Sequence, residues 1–101
     1  MNFAKQKLDS GGTLLKIEGE LDSLTVADVR PTIDAIVAEG SRTVEVDLSR
    51  LRLIDSSGVG ALVSLHKRIR ANGGNVAFRG VRDQPLAIFK LLRLDKVLSL
   101  V

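Results

Sequence analysis

The feature that most constrains this chain is a strand that runs directly into a helix, between Val44 and Gly60. Apolar and polar residues alternate from Val44 to Leu48, a period of two that is typical of a strand covered on one face. The alternation stops at Arg50, and a short apolar passage leads to Asp55-Ser56-Ser57-Gly58. A helical pattern begins there. The sequence therefore predicts a helix with two hydroxyl groups at its N-terminus, where free backbone N–H groups favour an anion.

Four further strands are predicted around this one. Phe3–Leu8 and Thr13–Gly19 flank the turn residues Gly11-Gly12, which favours an antiparallel hairpin. Residues 76–78 form a short apolar run, and Val97–Val101 is predicted to be a last, short edge strand.

The first helix is predicted between Thr25 and Gly40, where apolar residues repeat at helical spacing. Thr25 and Asp28 resemble a capping box at its start. Pro31 lies inside the pattern and is expected to kink the helix or delay its regular start, because it removes a backbone donor. The predicted inward-facing residues are Val26, Val29, Ile33, Ile36 and Val37.

Two more helices are predicted, one over Gly58–Ala71 and one that follows Asp83 as its N-cap and ends near Asp95, with Pro85 in its first turn. Their inward-facing residues are predicted to be Ala61, Leu62, Leu65, Ile69, Leu86, Ile88, Phe89, Leu92 and Leu94. The order β-β-α-β-α-β-α-(β) predicts an α/β fold with a mixed sheet of four to five strands, parallel in its centre.

Composition narrows the class of protein. A chain of 101 residues with 45% apolar and 27% charged residues is expected to form one globular domain over residues 1–101. The absence of cysteine excludes disulfides and thiolate chemistry. Because no apolar run reaches the about 20 residues of a membrane span and no signal peptide is recognisable, we expect a cytoplasmic protein without membrane insertion.

The net charge of +3 is compatible with an acidic or nucleic-acid partner. Acidic residues are interspersed with the basic ones, and no aromatic platform for base stacking accompanies them. The basic clusters are therefore interpreted as solvated surface, and no direct contact with nucleic acid is predicted. A nucleic-acid-binding domain remains an alternative that rests only on charge.

Signatures of catalysis are mostly missing. His66 is the only histidine, and neither a nucleophile–histidine–acid set nor a metal-ligand spacing is present. Gly58-Val59-Gly60 opens a helix after a strand, yet it lacks the further glycine of a dinucleotide-binding turn. We interpret these glycines as allowing close approach between helix and sheet. The sequence predicts a protein that is not an enzyme, with no catalytic residues, cofactor or metal.

Asp55-Ser56-Ser57 permits two interpretations. Such residues before a helix usually cap it, a contribution of about 1 kcal/mol. The same position would also tolerate a phosphate on Ser56 or Ser57, because the helix N-terminus favours negative charge.

Nearly the whole chain resembles a STAS domain of the anti-sigma-factor antagonist family, which acts in bacterial partner switching. The residues that carry the likeness are Gly19-Glu20-Leu21-Asp22, Val44–Leu48, Leu53–Gly60, Asn72-Gly73-Gly74-Asn75 and Phe89–Leu94. Pro31 and the net positive charge depart from the family pattern and bear on which partner is bound.

The resemblance implies that Ser56 is phosphorylated by an anti-sigma factor that is also a serine kinase, and that a serine phosphatase reverses the change. Phosphorylation would switch off binding, and the unmodified form would free the target of the anti-sigma factor. Ser57 is a secondary candidate, and Asp55 would help to shape the site. The predicted partner-binding residues are Asp22, Ser23, Asp55, Ser56, Ser57, Gly58 and Val59.

A second function is compatible with the same fold. The chain would then be an accessory STAS subunit of a membrane transporter complex, and the Asp55–Gly58 turn would be a contact surface that is never modified.

Overall fold

A six-stranded mixed sheet forms the centre of the fold in the computed structural model, which describes residues 1–101. The elements are β1 Asn2–Lys7, β2 Thr13–Leu21, α1 Val26–Ala38, β3 Thr43–Asp47, β4 Leu51–Ile54, α2 Ser56–Ala71, β5 Asn75–Arg79, α3 Asp83–Leu91 and β6 Ser99–Leu100. A 3₁₀ turn, Leu94–Lys96, precedes β6. The strand order is β1-β2-β3-β5-β6, with β4 paired to β2. Only β1, in the predicted hairpin, is antiparallel to its neighbour. The predicted α/β class with a mixed sheet is confirmed.

The sheet has one strand more than the upper limit predicted from the sequence, because the apolar passage Leu51–Ile54 is itself a strand. Thr13–Lys16 of β2 pairs with β3, and Gly19–Leu21 pairs with β4, with a shift of register after Gly19. Gly19 has a φ of 92°, a conformation that favours glycine. Its N–H donates to the carbonyl of Arg50 at 2.9 Å, so β2 continues beyond the end of β3 with a new partner.

The core lies between one face of the sheet and the helices. Val44, Val46 and Leu48 are buried, as the alternation predicts, whereas Glu45 and Asp47 on the opposite face are half-buried. Two of the three phenylalanines, Phe78 and Phe89, are fully buried among aliphatic residues. The predicted inward positions of α1 and α2 are confirmed: Val26, Val29, Ile33, Ile36, Ala61, Leu62, Leu65 and Ile69 are buried, and Val37 is partly buried.

The helix ends differ in detail from the prediction. α1 continues through Pro31 without interruption, and Pro31 lies at an exposed position. α2 begins at Ser56, two residues before the predicted start.

The third helix is shorter than predicted, because it ends at Leu91 and the chain turns at Arg93, whose φ of 59° is left-handed. Leu92 is consequently exposed, and its predicted inward position was wrong. Asp83 does not cap the helix through its side chain, because it is the first helical residue and has a φ of 54°.

None of the three α-helices combines the length and the apolar content that crossing a bilayer requires.

Candidate functional site

Two loops meet at one edge of the sheet because β2 and β4 are parallel neighbours. β2 ends at Leu21 and β4 at Ile54, and these two residues are partners in the register. The segments that follow them, Asp22–Thr25 and Asp55–Gly58, therefore leave the sheet side by side. This geometry brings together the two stretches to which the predicted partner-binding residues belong.

Asp55 connects the two loops. One carboxylate oxygen, Oδ1, accepts a hydrogen bond from the N–H of Gly58 at 3.0 Å, which caps α2. The other, Oδ2, accepts a hydrogen bond from the N–H of Ser23 at 3.0 Å. A single side chain thus fixes the first turn of α2 and the loop before α1 relative to each other.

Asp22 stabilises its own loop. Its Oδ1 accepts hydrogen bonds from the N–H groups of Leu24 and Thr25, at 2.9 and 3.0 Å. Together with the weaker contact of the Thr25 hydroxyl, these bonds hold the pKa of Asp22 below its usual range, the bond from the Thr25 N–H having the largest effect. The predicted capping box at Thr25 was wrong, because its hydroxyl makes no cap hydrogen bond to α1 and instead donates to the carbonyl of Glu20.

The lowered pKa of Asp22 predicts a pH dependence. The ionised carboxylate is favoured in the folded state, so its stabilising effect is complete above the ordinary aspartate pKa of 3.8 and is lost as the pH falls further through the folded-state pKa. In Asp22→Asn, the free energy of unfolding should therefore fall less between about pH 5 and about pH 3 than in the wild type. Urea unfolding at a series of pH values measures this difference.

Asp9→Asn provides the control, because Asp9 is exposed in the hairpin turn and makes no side-chain hydrogen bond. This variant should follow the wild-type pH curve. If Asp22→Asn and Asp9→Asn had the same pH dependence as the wild type, the role of the Asp22 carboxylate would be contradicted.

Ser56 is the first residue of α2 and is exposed. Its hydroxyl makes no hydrogen bond within the chain, so it is free to react or to contact another molecule. Ser57 is half-buried. A negative charge on Ser56 would lie next to the free N–H groups of the first helical turn and the positive end of the helix dipole.

Two residues predicted to bind the partner lie in the interior. Gly58 is buried, and Val59 retains only 8% of its exposure. A methyl group at Gly58 would lie 2.6 Å from the carbonyl oxygen of Leu21 and 2.7 Å from Cγ1 of Ile54. Gly58 thus allows the close approach of helix and sheet that the sequence indicates, whereas no atom crowds the corresponding position of Gly60. Gly58 and Val59 therefore pack against the interior and expose little surface to a partner.

Two exposed leucines lie in the segments that adjoin the Ser56 turn, and the sequence did not indicate them. Leu24 is 85% exposed and directly follows Ser23; Leu53 is 46% exposed and lies two residues before Asp55. A shallow groove of about 250 Å³ begins beside Leu53, with Asp22, Asp55 and Gln84 among its lining residues. In the sequence, the two leucines are recognisable only as apolar residues next to a turn, which is a common pattern.

Gln84 is a further residue that the sequence did not reveal. Its Oε1 accepts a hydrogen bond from the N–H of Ile54 at 2.9 Å, and its Nε2 donates to the carbonyl of Ile54 at 3.0 Å. β4 has β2 as its only strand neighbour, so the carboxamide takes the place of a peptide group in a further strand. Gln84 thereby fixes the last residue of β4, immediately before the turn that carries Ser56.

Removing this carboxamide is expected to destabilise the fold. Gln84→Ala leaves the N–H and the carbonyl of Ile54 without partners, which should lower the free energy of unfolding by about 1–2 kcal/mol. Gln6→Ala on exposed β1 is the matched control and should change stability by less than about 0.5 kcal/mol. Urea unfolding of both variants measures the difference, and equal effects would contradict the role assigned to Gln84.

His66 lies in the second half of α2, away from this site. Burial lowers the pKa of its imidazole, and the positive charge of Arg70 lowers it further. Its Nδ1 is buried and has no hydrogen-bond partner.

Comparison with known proteins agrees with this fold. A family model described as "Mlab, STAS domain" matches residues 4–101. An anti-sigma-B factor antagonist of Staphylococcus epidermidis is 29% identical over 84 residues, which span 83% of this chain and 78% of that protein.

Two solved structures share the fold. An anti-sigma factor antagonist from Mycobacterium paratuberculosis superposes with a TM-score of 0.88 at 22% identity, over 98% of this chain and 83% of that one. The Bacillus cell fate determinant SpoIIAA in its phosphorylated form gives a TM-score of 0.78 at 22% identity, over 99% of this chain and 91% of that one. From the family match over almost its whole length, the chain belongs to the STAS domain family.

Proposed function

We propose that this protein is an anti-sigma-factor antagonist whose binding is switched off by phosphorylation of Ser56. In the unmodified state it binds an anti-sigma factor that is also a serine kinase, and the target of that factor is released. A serine phosphatase returns the phosphorylated form to the binding state. The observation that carries the proposal is the exposed, unbonded hydroxyl of Ser56 at the start of α2, beside the loop that Asp55 holds in place.

The surface around Ser56 has the composition of a binding site. The adjoining loop and strand expose the apolar side chains of Leu24 and Leu53, and Asp22, Ser23 and Asp55 give the two loops a polar rim. Burying exposed leucines on association yields about 25 cal/mol per Å² of apolar surface, and the rim supplies directional contacts. The names of the staphylococcal relatives and of the structural neighbours support an anti-sigma factor as the partner.

A phosphate on Ser56 would act locally. It adds between about 1.5 and 2 negative charges to the middle of the apolar contact, and burying such a group without paired cations costs several kcal/mol. The fold itself need not change, because the N-terminus of α2 already suits an anion. The likeness to SpoIIAA in its phosphorylated form is consistent with this view. Ser57 is a weaker candidate for modification because it is half-buried.

A displacement experiment tests the proposed activity. The unmodified protein is added to a preformed complex between the anti-sigma factor of the same organism and its sigma factor. Release of the sigma factor at stoichiometric concentrations is the expected result. Failure to bind the anti-sigma factor, or binding without release of its target, would contradict the proposed function.

A further inference from the structure

Three arginines line one open groove next to the start of β4, the strand that leads to Ser56. The groove has a volume of about 630 Å³, and Arg50, Arg52 and Arg82 contribute its cationic side chains. Glu18 is the only acidic residue among its lining residues. Arg50 and Arg52 flank the start of β4, and Arg82 directly precedes α3. The fold thus gathers three guanidinium groups from two separate segments around a single concave surface, named here the arginine groove.

These guanidinium groups are poorly neutralised by the chain itself. Arg50 makes no ion pair, and the contacts of Arg52 with Glu20 and of Arg82 with Asp83 are both 4.0 Å long, at largely exposed positions. Elsewhere in the protein the pairing is close. Arg68 lies 2.7 Å from a carboxylate oxygen of Asp34, and Arg79 lies 2.8 Å from one of Glu45.

The arginine groove and the smaller groove beside Leu53 are lined by neighbouring residues of β2, β4 and the segment that begins α3. Arg52 precedes Leu53 in β4, and Arg82 lies two residues before Gln84, whose carboxamide bonds to Ile54. Glu20, which approaches Arg52, lines the smaller groove next to Leu53. A partner that docks over Leu53 and Ser56 is therefore within reach of the arginine groove, whose Arg52 approaches Glu20 beside Leu53.

We infer that the arginine groove binds an acidic polypeptide segment of the protein that docks at Ser56. Arginine forks match carboxylate geometry in a bidentate manner, and guanidinium groups without a close internal carboxylate are available to a partner. The groove is open and has a volume of about 630 Å³, which suits a chain with several carboxylates better than one compact anion. This inference takes its partner from the proposed function, whereas the chemistry of the groove stands on the three arginines alone.

Titration with a defined probe tests the groove directly. Acetylated hexaglutamate is added to the full chain at low salt and followed by NMR. Backbone amide shifts are expected around Arg50, Arg52 and Arg82. The Arg52→Gln/Arg82→Gln double variant should bind the peptide about tenfold more weakly, because each contact between an arginine and a carboxylate contributes to a salt-dependent attraction.

A matched control separates the groove from net charge. Arg30 and Arg42 are exposed and form no ion pair, so Arg30→Gln/Arg42→Gln removes the same charge from other surfaces. This variant should bind hexaglutamate within about twofold of the wild type. Equal weakening in both double variants, or no binding by the wild type, would overturn the inference. Tripolyphosphate that causes the same shifts at tenfold lower concentration would also overturn it, in favour of a polyphosphate ligand.

Peptide binding by the arginine groove and the proposed function at Ser56 can be tested independently. Ser56→Ala should bind hexaglutamate as the wild type does, because Ser56 lies outside the arginine groove. Loss of peptide binding in Ser56→Ala would overturn the separation of the two surfaces. Wild-type binding of the peptide, with no binding of the anti-sigma factor, would support the groove and contradict only the proposed function.

Discussion

Replacing Ser56 with aspartate is expected to lower affinity for the anti-sigma partner by at least about 100-fold, which corresponds to about 2.7 kcal/mol. Ser56 is exposed, and the adjoining loop and strand expose Leu24 and Leu53, so a partner that covers this surface would bury the carboxylate against apolar groups. Circular dichroism and thermal unfolding should show an unchanged fold. Isothermal titration calorimetry with the purified partner measures the affinity.

Two further variants make the result specific. Ser56→Ala should keep wild-type affinity, because the hydroxyl makes no hydrogen bond that the site requires. Ser10→Asp adds the same charge at an exposed position in the hairpin turn, at the opposite end of β2 from the Ser56 site. It should also bind like the wild type. Equal affinity of Ser56→Asp and Ser10→Asp would contradict the placement of Ser56 within the interface.

Gly58→Ala is expected to lower the free energy of unfolding by about 1–3 kcal/mol, although alanine is the better helix former. The added methyl group would lie 2.6 Å from the carbonyl oxygen of Leu21, which is held in the sheet, and 2.7 Å from Cγ1 of Ile54. Helix α2 would have to move away from β2 and β4. Because Asp55 is bonded to the N–H of Gly58, the same shift should disturb the Ser56 turn.

Gly60→Ala is the control for this prediction. Gly60 belongs to the same helix, and nothing lies within 4 Å of the position that its Cβ would occupy. The substitution should raise the free energy of unfolding by up to about 1 kcal/mol through helix propensity. Urea unfolding compares the two variants. If both substitutions stabilised the protein, the predicted clash at Gly58 would be contradicted.

Much of the fold follows from periodicity in the sequence. The alternation from Val44 to Leu48 identified a strand, and helical spacing identified the buried faces of the first two helices. These signals are strong because one face of each element packs against the core over several turns or residues. That the Asp55-Ser56-Ser57 turn lies at the N-terminus of α2 also followed from the sequence, although α2 begins at Ser56 and not at Gly58 as predicted.

Contacts between distant segments could not be predicted in this way. β4 has only four residues, too few to establish a period, and it forms because β2 bends at Gly19 and offers a second edge. Gln84 pairs with Ile54 across 30 residues of sequence, and no local pattern marks that bond. The same holds for the bond between Asp55 and Ser23, which unites the two halves of the site.

The start of α1 shows a different kind of error. Thr25 and Asp28 have the spacing of a capping box, yet Asp22 satisfies the free N–H groups of the turn before the helix. Several short polar side chains near the start of a helix can accept hydrogen bonds from the same backbone N–H groups. Which of them lies close enough depends on how the preceding strand is placed in the sheet.

The most direct test of the proposed switch is the mass of the protein purified from its own cells, followed by peptide mapping of residues 53–67. Phosphorylation adds about 80 Da, and we predict that the phosphate is found on Ser56 and is absent from a Ser56→Ala variant. A protein that stays unmodified under every growth condition, or that carries its phosphate elsewhere, would contradict the switch at Ser56.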